Sequence, residues 1–168
     1  MRKIAIHDAN ILIDLVNIGL FSHCLTLKFQ FCTTQLIFDT ELNDRQTAAI
    51  QIHIDSGKFE VIKISEQGLL EIQTANLEDK RLSEQDWSVI CYAQKLDALL
   101  LSGDKILRKV AESKALEVRG ILWVLDQLVD LDIISKAEGC NFLKELIRQN
   151  RRLPPDECQT RIDIWCGK

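Results

Sequence analysis

The sequence predicts an α/β domain in which a mainly parallel sheet is flanked by helices. Short apolar segments alternate with segments whose apolar residues recur at helical spacing, as in strands joined by crossover helices. With 168 residues, of which 46% are hydrophobic, the chain is long enough to bury a sizeable core. Its net charge of −4 is too small to keep such a chain unfolded. A single domain is therefore expected over residues 1–168.

The first half of the chain begins with a strand at 3–7 that ends at Asp8. Apolar spacing and helix-start signals then predict a helix at 11–21, a strand at 35–38, a helix from Asp39 to about 55, a strand at 58–64 and a helix from 65 to about 75. The segment Asp39-Thr40-Glu41 is interpreted as a helix start, and Ser56-Gly57 as the break that ends that helix.

The second half has clearer helix signals. Ser83 and Asp86 form a capping box for a helix that continues to about 95, and Ser135 and Glu138 form another. The remaining predicted elements are strands at 98–101 and 117–119, helices at 105–114, 121–131 and 135–152, and a turn or helix after Pro154-Pro155. The core is expected to span about 1–125, with a helical tail over about 126–168.

Composition and charge exclude several classes of protein. The longest uncharged run, residues 15–27, is shorter than the ~20 apolar residues of a membrane span. Only three apolar residues follow Arg2-Lys3, which is too few for a signal peptide, so a cytoplasmic protein that binds no membrane is expected. The six cysteines contain no C-x-x-C pair and are expected as reduced thiols. The acidic balance argues against binding nucleic acid by bulk charge, but a local site remains possible.

Four acids stand near the ends of predicted strands or at the start of a helix. Asp8 directly follows the first strand, Glu41 follows the second by three residues, and Asp104 follows the fourth. Because the carboxyl ends of parallel strands share one edge of a sheet, these three side chains are expected there. Asp86 joins them if its helix begins at that edge, which the loop at 76–82 permits.

Each of these acids also has a structural interpretation. Asp8 and Asp104 can cap the helices that follow them, Asp86 completes the capping box, and Glu41 can complement a helix dipole. Four carboxylates at one edge, however, raise one another's pKa and destabilise the fold unless a cation is bound. Hard oxygen donors with no His or Cys alongside favour Mg²⁺ or Mn²⁺ over zinc.

The ordered set of motifs resembles the PIN-domain nucleases over residues 3 to about 125. The four segments that are similar to the family's acidic motifs are Asp8-Ala9-Asn10, Thr40-Glu41-Leu42, residues 83–93 with Asp86, and Leu101-Ser102-Gly103-Asp104. The chain departs from the pattern at Lys105, which directly follows the fourth acid, and in its tail after Leu131, which is longer than in the smallest toxins of the family.

The resemblance implies a PIN-like three-layer sandwich and a metal-dependent ribonuclease, or in some branches a DNA nuclease. One or two Mg²⁺ or Mn²⁺ ions would activate water for attack on a phosphodiester. Asp8 and Asp104 are then expected as the main metal ligands, Asp86 as a further ligand directly or through water, and Glu41 at a second metal or at the attacking water.

Two polar residues are expected to support these ligands. Asn10 and Ser102 can hydrogen-bond a ligand carboxylate, although Asn10 can equally be an ordinary residue in the first turn of a helix.

The resemblance also implies partners. Many bacterial members are VapC-like toxins restrained by a small antitoxin, so an RNA substrate, a possible antitoxin and a homodimer are expected, with the apolar helix at 121–131 as a candidate interface. Candidate RNA-contacting residues are Lys105, Arg108, Lys109 and the basic tail residues Lys144, Arg148, Arg151 and Arg152. The alternatives are an ion pair for Lys105 and a solvated face for the others. Trp87, Trp123 and Trp165 are expected in the core or at an interface.

Two other functions remain open. A catalytically inactive PIN-like module would bind RNA or a protein without cleaving it. An aspartyl phosphotransferase also uses an Asp after its first strand, but its motif has a second Asp at the position of Asn10.

Overall fold

A five-stranded parallel sheet forms the centre of the structure, a computed structural model that describes residues 1–150 and 152–167. The strands are β1 (Lys3–His7), β2 (Phe29–Thr34), β3 (Phe59–Ile62), β4 (Leu99–Leu101) and β5 (Val118–Arg119). Their order across the sheet is β3-β2-β1-β4-β5, and every pair is parallel. The α/β class is confirmed, and β1 is its central strand.

Helices cover the sheet. They are α1 (Ala9–Asn17), α2 (Phe21–Cys24), α3 (Gln35–Thr40), α4 (Asp44–Asp55), α5 (Glu66–Glu78), α6 (Glu84–Leu96), α7 (Lys105–Ser113), α8 (Ile121–Asp130), α9 (Lys136–Gln149) and α10 (Pro155–Trp165). Helix α6 packs against β1, β2 and β4, with α3 and α5 beside it, while α1 packs against α2 and α4. In the part of the chain that the structure describes, no helix has the length and apolar character needed to cross a membrane.

The segment predicted as a strand at 35–38 is instead the first part of helix α3. Thr34 ends strand β2 and caps α3, because its Oγ1 accepts a hydrogen bond from the backbone N–H of Ile37 at 3.4 Å. A short apolar run carries no periodicity that separates a helix from a strand, so the cap decides here. The strand lies just before it, where Phe31 pairs with Ala5 of β1.

The helix predicted from Asp39 to about 55 is two helices. α3 ends at Thr40, Glu41 is its C-cap residue, and α4 begins only at Asp44. Asn43 starts α4 through a capping box in which its side chain accepts a hydrogen bond from Gln46 N at 2.9 Å. Glu41 therefore lies at a helix end, not at a helix start. A carboxylate there is not stabilised by the dipole of α3, so a complementing role of Glu41 stays a prediction for the start of α4 alone.

The helix predicted at 11–21 also divides. α1 ends at Asn17, and Gly19 has a φ of 75°, a left-handed conformation that glycine adopts without steric penalty. Phe21 then begins the short helix α2 and packs edge-on against the ring of His7, with centroids 6.2 Å apart.

Both predicted capping boxes are present, and they set the starts of α6 and α9. The side chain of Ser83 bonds to Asp86 N, and that of Ser135 bonds to Glu138 N, each at 3.1 Å. Helix α6 must run back across the sheet to reach the start of β4, so its first turn lies at the carboxyl edge. Asp86 therefore lies at the same edge of the sheet as Asp8 and Asp104, which is the condition under which it was expected to join them.

Helix α8 is covered by its own chain. Its apolar side packs on α2 and α9, and its buried residues are Ile121, Leu122, Val124, Leu125, Leu128 and Val129. These apolar side chains are buried within their own chain, and the homodimer with this helix as its interface stays a prediction.

The cysteines are not all reduced thiols. Cys140 of α9 and Cys166, the residue after α10, form a disulfide with a Cα–Cα distance of 5.3 Å. The two residues are 26 positions apart and match no spacing motif, so only the antiparallel packing of α9 and α10 brings them together. Cys24, Cys32, Cys91 and Cys158 are free, as expected, and all but the half-buried Cys91 are buried.

Candidate active site at the carboxyl edge of the sheet

Strand register brings Asp8 and Ser102 together. His7 pairs with Leu101 across β1 and β4, so the residue that follows each strand lies beside its counterpart. Asp8 N donates to Leu101 O at 2.9 Å, and Ser102 Oγ donates to Asp8 Oδ2 at 2.8 Å. Ser102 is in turn held against β5, because its backbone N–H donates to Arg119 O at 3.0 Å.

Asn10 joins the two loops at this edge. Its Nδ2 donates to Asp8 Oδ2 at 3.0 Å, and its Oδ1 accepts from Gly103 N at 2.9 Å. Asp8 also caps helix α1, since its Oδ1 accepts from Ala9 N at 2.7 Å. The structure therefore places both predicted supporting residues, Asn10 and Ser102, on the Asp8 carboxylate.

Asp8 is a buried carboxylate in an unfavourable electrostatic environment. Its relative exposure is 3%, and burial raises its pKa to about 6. The hydrogen bonds from Ser102 and Ala9 offset part of this rise in pKa, while the negative charges of Asp86 and Asp104 add to it. The three acids are therefore close enough for their charges to interact.

Asp104 and Asp86 each use one carboxylate oxygen as a helix cap. Asp104 Oδ1 accepts from Leu107 N at 2.8 Å, and Asp86 Oδ2 accepts from Ser83 N at 2.9 Å and from Ser83 Oγ at 2.8 Å. Within the described residues, no hydrogen bond involves Asp104 Oδ2 or Asp86 Oδ1. The caps therefore fix these side chains and leave one oxygen of each carboxylate open, so the structural and the ligand interpretations are compatible.

Glu41 is exposed, and the contact that links its part of the chain to this region is made by its neighbour Thr40. Thr40 Oγ1 accepts a hydrogen bond from Gln85 Nε2 at 3.1 Å, which joins the residue before Glu41 to the residue before Asp86. This hydrogen bond links the end of α3 to the start of α6. The sequence predicts Glu41 at the start of a helix, whereas the structure has it at the end of α3.

The acids do not form a preformed metal site. Across residues 1–150 and 152–167, no group of three or more His, Cys, Asp or Glu side chains is placed to hold a metal ion. The donor chemistry nevertheless fits Mg²⁺ or Mn²⁺, since Asp8, Asp86 and Asp104 offer hard oxygens and their mutual repulsion is what a cation would relieve.

The comparisons with known proteins agree with this geometry. A family model described as a PIN domain (DUF3368) matches residues 4–165. The chain belongs to the PIN-domain family. The match covers all four acidic motifs and continues through α9 and α10, beyond the span of about 3–125 over which the motifs resemble the family. No curated protein sequence matches the chain.

A groove of about 1000 Å³ opens beside the acids of this PIN domain. Asp8 and Asp104 do not line it, but their neighbours Asn10 and Gly103 do. Its walls come from the outer side of α1, the start of α7, the β5–α8 junction and the α9–α10 connection. The groove therefore begins where the Asp8 carboxylate is held and extends toward the C-terminal helices.

Some of the predicted RNA-contacting residues line this groove, and others do not. Lys105 and Arg108 of α7 line it, but Lys109 does not. Lys105 is exposed and takes part in none of the salt bridges found among the described residues, so the alternative of an ion pair is not seen. Arg108 has structural contacts, because its Nη1 donates to Val118 O at 3.1 Å and pairs with Glu112 at 3.6 Å.

The basic residues of the tail also differ in whether they line the groove. Arg152 lines the groove, whereas Arg148 is paired with Glu145 at 2.5 Å on the exposed side of α9. Lys144 is exposed and outside the groove lining, and Arg151 lies outside the described residues.

Sequence reasoning missed most residues of this groove, among them Arg119, Asp14 and Trp123. Arg119 ends β5 at the carboxyl edge, so the argument applied to the acids would have found it. Asp14 is half-buried and accepts a hydrogen bond from Asn150 Nδ2 at 2.8 Å. Trp123 is half-buried in the groove wall, whereas Trp87 and Trp165 are buried in the core.

Proposed function

We propose that this PIN domain is a Mg²⁺- or Mn²⁺-dependent nuclease that hydrolyses phosphodiester bonds of RNA. The observation that carries the proposal is the environment of Asp8. Its carboxylate is buried, held by Asn10 and Ser102, and repelled by the charges of Asp86 and Asp104. Such an arrangement opposes stability, and perturbed carboxylates of this kind cluster at functional sites.

Each residue has a role that its contacts support. Asp8 and the open oxygen of Asp104 would hold the cation, with Asp86 completing the set directly or through water. When bound, the cation would lower the pKa of a bound water and offset charge on the phosphate. Asn10 and Ser102 keep the Asp8 carboxylate in one orientation, and Glu41 is exposed and free to orient the attacking water or to serve a second ion.

Substitution of Asp8 or Asp104 by Asn is the direct test. We expect Asp8→Asn and Asp104→Asn to reduce Mn²⁺-dependent cleavage of single-stranded RNA by about 100-fold or more, because each loses a ligand charge at the reacting centre. Circular dichroism and thermal unfolding should show that the fold is kept.

Asp97→Asn provides the matched control. Asp97 is an exposed acid in a left-handed conformation at the end of α6, which Asn also tolerates. It should retain cleavage. Full activity in both site variants would contradict the assignment of the active site.

An inactive module that binds RNA or a protein is the second candidate, and one observation favours it. The described residues contain no preformed group of three metal-ligating side chains. If wild-type protein binds RNA but does not cleave it at any Mg²⁺ or Mn²⁺ concentration, and Asp8→Asn binds equally well, this second function replaces the first.

A further inference from the structure

We propose that the groove beside Asn10 holds a single-stranded segment of RNA, in which Lys105 and Arg152 contact phosphates and Trp123 stacks on a base. This inference rests on the proposed function for the identity of the strand. It assigns a binding role to Arg152, which lies between α9 and α10 and outside the four acidic motifs.

The position of the groove favours a substrate strand. Asn10 hydrogen-bonds both Asp8 and Gly103, and Asn10 and Gly103 also line the groove. Lys105 follows Asp104 directly and stands at the same end. A strand lying in the groove would therefore extend from the C-terminal helices toward the residues that hold Asp8.

The charge of the groove favours an anion. Among the lining residues, the acids Asp126 and Glu157 are both paired with Arg161, at 2.6 and 3.7 Å. Asp14 is the other lining acid, and it lies near Arg152 and accepts a hydrogen bond from Asn150.

The basic residues outnumber these acids. Arg108 and Arg119 are paired with Glu112 and Glu117, which do not line the groove. Lys105 and Arg152 are both exposed, and the salt bridges found in residues 1–150 and 152–167 include neither. Because Lys105 and Arg152 are exposed and form no salt bridge in these residues, both side chains are available to bind phosphate oxygens.

An aromatic wall distinguishes a nucleotide strand from a simple anion. Trp123 is half-buried, lines the groove and packs edge-on against Phe29 with centroids 6.0 Å apart. A rigid aromatic ring beside cationic side chains is the combination with which proteins bind single strands. The volume of about 1000 Å³ is at the upper end for small-molecule pockets, which leaves room for part of an extended chain.

Equilibrium binding of a labelled single-stranded RNA oligonucleotide to the full chain tests the inference. The titration is made in EDTA, so that binding is measured apart from hydrolysis. Lys105→Gln and Arg152→Gln should each weaken binding about tenfold, the effect of losing one charge-assisted contact. Each should also reduce the slope of log K against log salt by about 0.7, since one phosphate contact is lost from a single strand.

The chain offers matched controls on the same two helical segments. Lys109→Gln removes a charge four residues after Lys105 on α7, and Arg148→Gln removes one just before the α9–α10 connection, yet neither residue lines the groove. Both should bind RNA like the wild type. RNA should also quench tryptophan emission in the wild type but not in Trp123→Phe, because Trp87 and Trp165 are buried.

The outcomes separate this inference from the proposed function. If the groove variants bind RNA like the wild type while Asp8→Asn abolishes cleavage, the groove assignment is overturned and the nuclease proposal stands. If they lose binding although the wild type cleaves nothing, the groove assignment stands and the nuclease proposal fails. An effect seen only with a DNA strand, or only with an acidic peptide, overturns the choice of RNA.

Discussion

At the scale of single residues, two adjacent buried groups at the end of β1 have opposite pKa shifts. His7 is fully buried among Phe21, Phe31 and Phe59, and burial lowers its pKa to about 4. Its Nδ1 has no hydrogen-bond partner among the residues that the structure describes. Burial raises the pKa of the next residue, Asp8, to about 6. The folded protein thus favours the neutral form of both side chains.

These shifts predict opposing effects of acid on stability. Asp8 binds a proton more readily when folded, so its contribution to the free energy of unfolding rises as the pH falls from about 6 toward 4. His7 stays neutral when folded while the unfolded chain takes up a proton below its ordinary pKa of 6.5. Its contribution is therefore lost as the pH falls from about 6.5 toward 4. Each effect is about 3 kcal/mol at most.

Urea unfolding between pH 4 and 7 checks this pair of effects. Relative to wild type, Asp8→Asn should lose stability more steeply in acid, and His7→Leu should lose it less steeply or gain it. At pH 7 without metal, Asp8→Asn should be more stable than wild type by about 1–2 kcal/mol, because a buried charge is removed. Parallel pH profiles for all three proteins would contradict the prediction.

At the scale of elements, the C-terminal helices are held together closely. Gly139 of α9 faces α8 and α10, and a Cβ there would lie 2.7 Å from Val129 Cγ2 and 3.4 Å from Trp165 Cε3. The disulfide between Cys140 and Cys166 is next to this contact in the chain. Since Asn150 and Arg161 line the groove, the packing of α9 with α10 also sets the position of its far wall.

Reduction of this disulfide should lower stability. A cross-link between residues 26 positions apart restricts the unfolded chain, and its loss should cost about 3 kcal/mol. Urea unfolding of the wild type with and without dithiothreitol measures the difference, and Cys140→Ser should match the reduced wild type. The reductant should not change the midpoint of Cys140→Ser; a wild type equally insensitive to it would refute the prediction.

Elements with strong local signals could be predicted from the sequence, and others could not. Asp8 marks the end of strand β1, and Ser102-Gly103 marks the end of β4. Capping boxes that begin at Ser83 and Ser135 mark the starts of α6 and α9. The prediction of a strand at 35–38 is wrong because the apolar run of α3 is too short to show a helical periodicity. This error also misplaced Glu41, whose position depends on where β2 ends.

The candidate site likewise contains residues that could be predicted from the sequence and residues that could not. Asp8, Ser102 and Asp104 could be placed together because strand register alone determines their proximity. The far wall of the groove could not, because Asn150 meets Asp14 only through the packing of α8, α9 and α10. The disulfide depends on that same long-range packing and has no local signal.

At the scale of the whole molecule, charge is unevenly distributed. The net charge of −4 gives no general attraction for RNA. The repelled acids occupy one end of the central strands, and Lys105 and Arg152 stand in the groove beside them. Local arrangement, rather than overall charge, therefore determines which ligands the protein would take up.

Divalent cations should stabilise the whole protein. A ligand that binds only the folded state raises the melting temperature by mass action, and an ion held by Asp8 would also relieve the repulsion from Asp86 and Asp104. We expect the melting temperature of wild type to rise with MnCl₂, by the equivalent of about 2.7 kcal/mol at 100 times the dissociation constant.

Thermal unfolding in MnCl₂ and in EDTA measures this effect. Asp8→Asn should respond little to the ion, while Asp97→Asn should respond like the wild type. A Mn²⁺ response that survives in Asp8→Asn would show that the ion binds elsewhere.

The chain order of the groove has an evolutionary consequence. The acids Asp8, Asp86 and Asp104 come from the first two thirds of the chain, whereas Asn150, Arg152 and Arg161 of the groove wall come from its last segment. Mutations after α8 can therefore reshape what enters the groove while leaving the hydrogen bonds around Asp8 untouched. Under the proposed function, selectivity and chemistry would then be encoded in separate parts of the chain, so that the target could change while the acids stay the same.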